Sequence, residues 1–352
     1  MSEHDLPTVG LDPDWIAAHV VVDGHRPRRA EFAGFIGTGQ MSRNARFRLE
    51  WDDAAAGPAS VVVKIPSAEA STRAVSFEHG IYEKECHFYD AIASRVDIST
   101  PDALHVHVDA PNDFTIVLED LDRSEQGDQF SEPTDDQLHL AIEQAAALHA
   151  PVWGGTDDAV FDPLRSNLDE RAAGSEQTMP FFHAVVMERL GDGLDADVAE
   201  LLAAFTARVG DWVRVAGIPV TLVHGDFRPD NFMFGVDESA PPMKVVDWQT
   251  LALGRGVTDV AYLLGAAIDP TRRRADEQRH LEHYRAALAR RGVEYSAAEC
   301  ERDYAIGSLH GLVIAMTATT MADRTERGDA LFTLMLNRHG RHALDLGAIH
   351  RF

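Results

Sequence analysis

Val223-His224-Gly225-Asp226-Phe227-Arg228-Pro229-Asp230-Asn231 is the stretch on which the reading of this chain turns. It lies between an apolar entry and an apolar exit, and sixteen residues beyond Asn231 comes Asp247, inside Val245-Val246-Asp247-Trp248-Gln249. Residues 232–234 and 244–246 read as two strands of a hairpin on either side of a turn over residues 235–242. A single aspartate in a loop is usually a turn or cap residue, its carboxylate satisfying nearby backbone N–H groups. Two adjoining loops that each carry hard oxygen donors at the ends of apolar strands describe a built site instead. His224 is expected to buttress the loop through hydrogen bonds rather than to react.

Phosphoryl transfer needs a carboxylate that orients the attacking hydroxyl and accepts its proton, together with oxygen ligands for Mg²⁺ bridging the nucleotide phosphates. Asp226 suits the first role. Asn231 and Asp247 suit the second, since oxygens on two loops grip the ion and leave positions for phosphate and water. An Asp-x-x-x-x-Asn loop after an apolar strand, followed by apolar-apolar-Asp after a hairpin, is the protein-kinase arrangement of base and metal ligands.

Working upstream, Gly34-Phe35-Ile36-Gly37-Thr38-Gly39-Gln40-Met41-Ser42 lies between two strand-like runs. Gly34 and Gly39 have Walker-A spacing, but Gln40-Met41 stands where Lys-Ser/Thr is required, which excludes a P-loop. Ser42 replaces the third glycine of a dinucleotide fingerprint and a strand follows, not a helix, which excludes that fold as well. What remains is a strand-turn-strand lid whose amides, at Gly37 and Gly39, approach nucleotide phosphates. In Val61-Val62-Val63-Lys64-Ile65 a charge sits within an apolar strand, a costly placement unless it has a partner. An ammonium there can hold the α- and β-phosphates. Glu83 and Glu85 compete as its partner on the next helix, and Glu85, beside Phe88-Tyr89 on the apolar face, is the expected one.

Around these motifs, runs at residues 31–36, 45–51 and 60–65 read as an antiparallel meander. Apolar residues recur at helical spacing over residues 73–94, and two more strands are expected at 103–108 and 114–118. Residues 122–132 are polar and acidic, a connector. Beyond it helices are expected at 134–149, opened by the capping box Thr134-Asp135-Asp136-Gln137, and at 197–213, 274–291, 297–320 and 330–346. The expectation is an α+β chain of two lobes, residues 1–121 rich in strands and binding nucleotide, residues 122–352 mainly helical and carrying catalysis and substrate.

The 352 residues are 45% hydrophobic, ample for a core of that size. A formal net charge of −25 disfavours nucleic acid and anionic membrane surfaces as partners. Lys64, Lys84 and Lys244 are the only lysines beside 29 arginines, so Lys64 in its apolar strand stands out. Cys86 and Cys300 lack disulfide or metal spacing, no apolar run reaches the roughly 20 residues of a membrane span, and no export signal is visible, so a soluble cytoplasmic protein is expected.

With these residues in view the chain resembles the aminoglycoside-phosphotransferase and choline-kinase-like superfamily, small-molecule kinases built on the protein-kinase fold. Glu85-Cys86-His87-Phe88-Tyr89, His224-Gly225-Asp226 through Asn231, Asp247-Trp248-Gln249 and Gly256-Val257-Thr258-Asp259-Val260-Ala261 look most like its ecdysteroid-kinase-like branch. The resemblance implies a protein-kinase-like bilobal fold with an antiparallel-sheet N-lobe and a helical C-lobe. It implies ATP and Mg²⁺ as cofactors, Asp226 as catalytic base, Asn231 and Asp247 as metal ligands, and Lys64 with Glu85 as the pair that positions ATP. It further implies an interlobe hinge at Val117-Leu118-Glu119-Asp120-Leu121, with adenine held by backbone groups near Glu119 and Leu121. Arg228 lies where protein kinases often carry a lysine near the transferred phosphate, and a guanidinium there can stabilise its charge or pair with a nearby carboxylate. Asp259 is expected to brace the metal loop or cap the next helix. Trp248 stands where a phenylalanine often follows the metal aspartate, and the lid lacks a third glycine. The expected reaction is ATP-dependent phosphorylation of a hydroxyl on a small molecule: the ecdysteroid-kinase-like resemblance points to a bulky, weakly charged alcohol, and the alternative is an aminoglycoside-type antibiotic kinase, since a polycationic substrate would suit the acidic surface. The rivals are a nucleotide-binding pseudokinase or scaffold without turnover, and a two-metal phosphohydrolase using His224, Asp226 and Asp247.

Overall fold

Strand β3 (Ser60–Pro66) shows how the sequence sets the architecture. Successive side chains of a strand point to opposite faces, so Val61, Val63 and Ile65 enter an apolar cluster with Ile16, Val20, Phe47 and Val117, and Lys64 turns to the other face. The computed structural model describes residues 9–37, 41–110 and 113–352. The elements leading to the connector are α1 (Pro13–His19), β1 (Arg29–Ile36), β2 (Ser42–Glu50), β3, α2 (Ala70–Glu78), α3 (Ile81–His87), β4 (Ala103–Ala110), β5 (Asp113–Glu119) and the short β6 (Ser124–Gln126). After it come α4 (Asp135–His149), α5 (Leu168–Leu190), α6 (Ala196–Thr206), α7 (Val209–Val213), β7 (Val220–Val223), β8 (Phe232–Gly235), β9 (Met243–Val245) and β10 (Ala252–Arg255). Helices α8 (Val257–Ala267), α9 (Pro270–Arg290), α10 (Ala297–Gly307), α11 (His310–Met321) and α12 (Glu326–Asp345) complete the chain.

The chain divides into two compact units that interleave along the sequence. The first holds residues up to Arg95, Ser99–Ser124 and Gly235–Leu251; the second holds Val96–Ile98, Glu125–Phe234 and Ala252–Phe352. In the first, five strands form an antiparallel sheet in the order β1-β2-β3-β5-β4, with Asn44 and Ile116 flanking Lys64. The expected single helix over residues 73–94 is instead two, because Gly80 takes a left-handed φ of 61° between α2 and α3. Past α3 the backbone widens into a π turn at Phe88–Ile92, which buries Phe88, Tyr89 and Ile92.

In the second unit the capping box at Thr134 and Gln137 opens α4 as expected. The expected helix over residues 197–213 breaks into α6 and α7, and that over 297–320 into α10 and α11. Met316, Phe332 and Met335 are buried within a core shared with Phe205, Trp212 and Tyr262, and His339 is buried as well. Residues Ala297–Met321 have the length and composition of a membrane-crossing helix, but 61% of that apolar window is buried inside the protein.

Both cysteines are free and buried. Burial first, then the carboxylate of Glu85 beside Cys86 and, at Cys300, that of Asp303 against Arg285, push the two thiols up to about 12. Because the thiolate is the nucleophile, the native protein should take up no iodoacetamide at pH 8, and both cysteines should react in urea. Labelling of either thiol in the native state, read by mass spectrometry, would contradict this packing.

Candidate active site

In the first unit the ammonium of Lys64 is shared. Its Nζ lies 2.7 Å from the Glu85 carboxylate on α3 and 2.7 Å from Oδ1 of Asp247. Lys64 and Glu85 are both buried, while the Asp247 side chain is 28% exposed. Burial alone would lower the Lys64 pKa, but Asp247 and Glu85 outweigh it, so the ammonium stays charged well above its usual range. Burial pushes the Glu85 carboxyl up, opposed by Lys64. Glu83, the competing acid, is exposed.

The loop carrying Asp247 is pinned by its neighbours. Trp248 stacks on Phe88 with ring centroids 3.6 Å apart and an interplanar angle of 10°, and its Nε1–H donates to Thr100 Oγ1 at 3.0 Å. The bulky residue after Asp247 thus gains an aromatic partner and a place for its N–H. Asp247 holds a φ of 70°, a region that residues with a side chain rarely adopt, and its Oδ2 accepts from Gln249 Nε2 at 2.9 Å.

Glu119 forms an ion pair with Lys244, and its backbone N–H donates to the Asp102 carbonyl at 2.9 Å. The Leu121 carbonyl accepts from Ser124 N–H at 3.1 Å, and Asp120 between them binds Arg46 and Ser60. Any base recognition at this segment must therefore use groups other than the Glu119 N–H and the committed carboxylates. Gly37, just past β1, has a φ of 72°; Gly39 lies outside the described residues.

In the second unit the stretch between β7 and β8 gathers donors around one carboxylate. Asp226 Oδ1 accepts from the Tyr262 hydroxyl at 2.9 Å, Oδ2 accepts from Asn231 Nδ2 at 2.9 Å, and the Arg228 Nε approaches to 3.0 Å. Burial would raise the Asp226 pKa, but Arg228, His224 and these hydrogen bonds hold it below the ordinary range. Asn231 also gives its Nδ2 to the Asp226 carbonyl at 2.8 Å, so its amide nitrogen is spent and its oxygen is the atom left for a cation. Arg228 is engaged by Asp226, by Asp230 at 3.0 Å and by Gln129 Oε1 at 2.7 Å, the carboxylate-paired arrangement among those expected for it.

The loop itself hangs from α8 and α4. The Asp259 carboxylate accepts from His224 N–H at 2.7 Å and Gly225 N–H at 3.0 Å, and from His149 Nε2 at 3.2 Å, while His149 Nδ1 pairs with the Tyr284 hydroxyl at 2.8 Å. Asp259 thus braces the stretch around Asp226. Burial would raise its pKa, and His149 with the loop N–H groups holds it low instead. His224 Nδ1 accepts from Asp226 N–H at 3.3 Å. Tyr262, Gln129, Thr100 and His149 escaped sequence reasoning. For Tyr262 the signal was present: a phenol inside a helix whose every residue is buried must find a hydrogen-bond acceptor.

Solved structures share this fold at low sequence identity. A point mutant of aminoglycoside 2′-phosphotransferase-IIIa in complex with GDP aligns over 91% of this chain and 92% of its own, at 15% identity and a TM-score of 0.53. The ethanolamine kinase of Plasmodium vivax aligns over 88% and 80% at 10% identity and a TM-score of 0.52, and a microcompartment-associated aminopropanol kinase over 95% and 97% at 14% and 0.51. The chain therefore has the protein-kinase-like fold used by small-molecule kinases, with an antiparallel-sheet N-lobe and a mainly helical C-lobe. It belongs to the ecdysteroid kinase-like family, whose model matches residues 37–293. A search of curated proteins returned no sequence match.

Proposed function

We propose that this protein transfers the γ-phosphoryl group of ATP to a hydroxyl of a small molecule, giving a phosphate monoester and ADP. The observation that carries the proposal is the Asp226 carboxylate, kept ionised and fixed in direction by Tyr262, Asn231 and Arg228. A base so placed orients the acceptor hydroxyl and takes its proton as the bond to phosphorus forms. The donor set suits Mg²⁺: the Asn231 amide oxygen and the partly exposed Asp247 carboxylate are hard ligands, and two protein oxygens leave room for phosphate and water. When bound, the ion neutralises charge on the nucleotide phosphates. Lys64, kept protonated and oriented by Glu85, holds the α- and β-phosphates, and the Gly37 amide approaches them. Backbone groups near Glu119 and Leu121 hold adenine, and Arg228 orients Asp226 from within its own loop.

For the acceptor we infer a bulky, weakly charged alcohol, not a polycation, a nucleic acid or a lipid surface. The family membership favours it, and the charge of −25 weighs against polyanions. A reducing compartment such as the cytoplasm agrees with two free, buried thiols. Incubation with Mg-ATP and a panel of sterol-like alcohols, amino alcohols and aminoglycosides, followed by ³¹P NMR, should reveal a new phosphate monoester with one of the first class. Stabilisation by Mg-ATP without transfer to any acceptor would replace the proposal with the nucleotide-binding scaffold. Among the described residues no group of three or more His, Cys, Asp or Glu is disposed to hold a metal, so the two-metal phosphohydrolase gains no support.

A further inference from the structure

Behind Tyr262, which helps to fix Asp226, stands His339, a residue that the kinase chemistry above does not use. Helix α8 is buried at every position, and the Tyr262 hydroxyl spends its proton on Asp226 Oδ1 at 2.9 Å. Burial and the adjacent Asp226 charge raise the phenol pKa well above its ordinary value, so it remains a donor. On one side its ring lies parallel to the imidazole of His339, with centroids 5.0 Å apart and an interplanar angle of 5°. On the other, His310 meets it edge-on at 5.6 Å and 78°, and His310 Nε2 donates to the Gly225 carbonyl at 2.8 Å, one residue before Asp226.

His339 is fully buried and neither of its ring nitrogens has a hydrogen-bond partner. An imidazole normally earns a buried place through its nitrogens; here only its flat shape is used. Space for it is made from two directions, because a Cβ on Gly265 of α8 or on Gly311 of α11 would run into the His339 ring. Burial, with His342, His310, Arg338 and Arg273 nearby, keeps the ring neutral. A neutral ring clamped between two glycines fixes the plane of Tyr262, and that plane sets the direction from which its hydroxyl meets Asp226.

We propose that Tyr262 is a positioning residue for phosphoryl transfer, that His339 holds it through the parallel stack, and that Gly265 and Gly311 exist to admit that ring. This rests on the reading of Asp226 as the residue that orients the acceptor hydroxyl. A carboxylate left to rotate misaligns the hydroxyl in the reacting complex without altering the nucleotide's own contacts. Small misplacements of this kind cost about 10²-fold in rate at the extreme.

The test is a double-mutant cycle in kcat. Tyr262→Phe should lower kcat about tenfold or more, with KM for ATP unchanged and little change in Tm. His339→Ala should lower kcat by a smaller factor alone and hardly at all in the Tyr262→Phe background, because the clamp then has no hydroxyl to aim. Gly311→Ala should behave like His339→Ala. A purely structural role for the stack predicts the same loss from His339→Ala in both backgrounds; that result, or full turnover in Tyr262→Phe, overturns the proposal. If wild type transfers no phosphoryl group, the kinase reading fails separately, and a Tm cycle between Tyr262→Phe and Asp226→Ala decides. Additive shifts overturn the tyrosine's hold on the carboxylate, and non-additive shifts uphold it.

Discussion

Asp226→Asn is expected to reduce kcat by about 10²- to 10⁴-fold, the range spanned by general acid and base groups, with the affinity for Mg-ATP nearly unchanged. The substitution keeps size and removes charge. In the wild type that charge faces three donors, and the replacement amide nitrogen would have to point at Asn231 on the Oδ2 side or Tyr262 on the Oδ1 side, with Arg228 close to both. The amide therefore loses both the ability to accept a proton and part of the geometry that orients the hydroxyl. Lys64 and Glu85 are bonded to each other and are untouched by the change. Steady-state kinetics with the best acceptor, paired with calorimetric titration of Mg-ATP, separates the two effects. Turnover within a few-fold of wild type would remove Asp226 from the role of base. Loss of nucleotide binding in equal measure would show that the variant is disrupted more broadly.

The parts of this site legible in the sequence were those fixed by spacing. Asp226 and Asn231 are five apart on one loop, and the structure shows that this spacing lets Asn231 reach back to both the carbonyl and the carboxylate of Asp226. Lys64 was legible because strand periodicity left a charge among valines, and Glu85 because the helix face next to Phe88 had to meet the sheet. Contacts between residues distant in the chain left no such trace. Gln129 lies 99 residues from Arg228, and His149 lies 110 from Asp259, so no local pattern joins them. Helix α5 was missed for another reason. Its buried residues are Ala172, Met179, Val186 and Leu190, a stripe too narrow to read as a core-facing helix, and it carries Pro180 inside. The helix breaks at Gly80 and around residues 207–208 and 308–309 show the same limit, since apolar periodicity continues across a bend that only the backbone reveals.

The second large effect concerns Lys64. Lys64→Met leaves the buried Glu85 and the neighbouring Asp247 without the cation they share, and removing one partner of a buried ion pair costs about 3–5 kcal/mol. Urea unfolding should show a loss of that size, and affinity for ATP should fall as well, because the same ammonium is assigned to the phosphates. Stability and binding come apart in the double variant Lys64→Met with Glu85→Gln. Removing the orphaned charge should return much of the lost stability, since replacing a buried pair by neutral groups is often tolerated, while ATP affinity and turnover stay low. Lys64→Arg is a sharper probe than its conservative look suggests. A compact ammonium fits 2.7 Å from two separate carboxylates, whereas a planar guanidinium distributes its donors in a fixed fork. In a chain with 29 arginines and three lysines, keeping lysine at this position is what that geometry requires. Unfolding of Lys64→Met at the wild-type urea midpoint would mean the buried pair contributes nothing. Undiminished ATP affinity in the stability-restored double variant would take the phosphates away from Lys64.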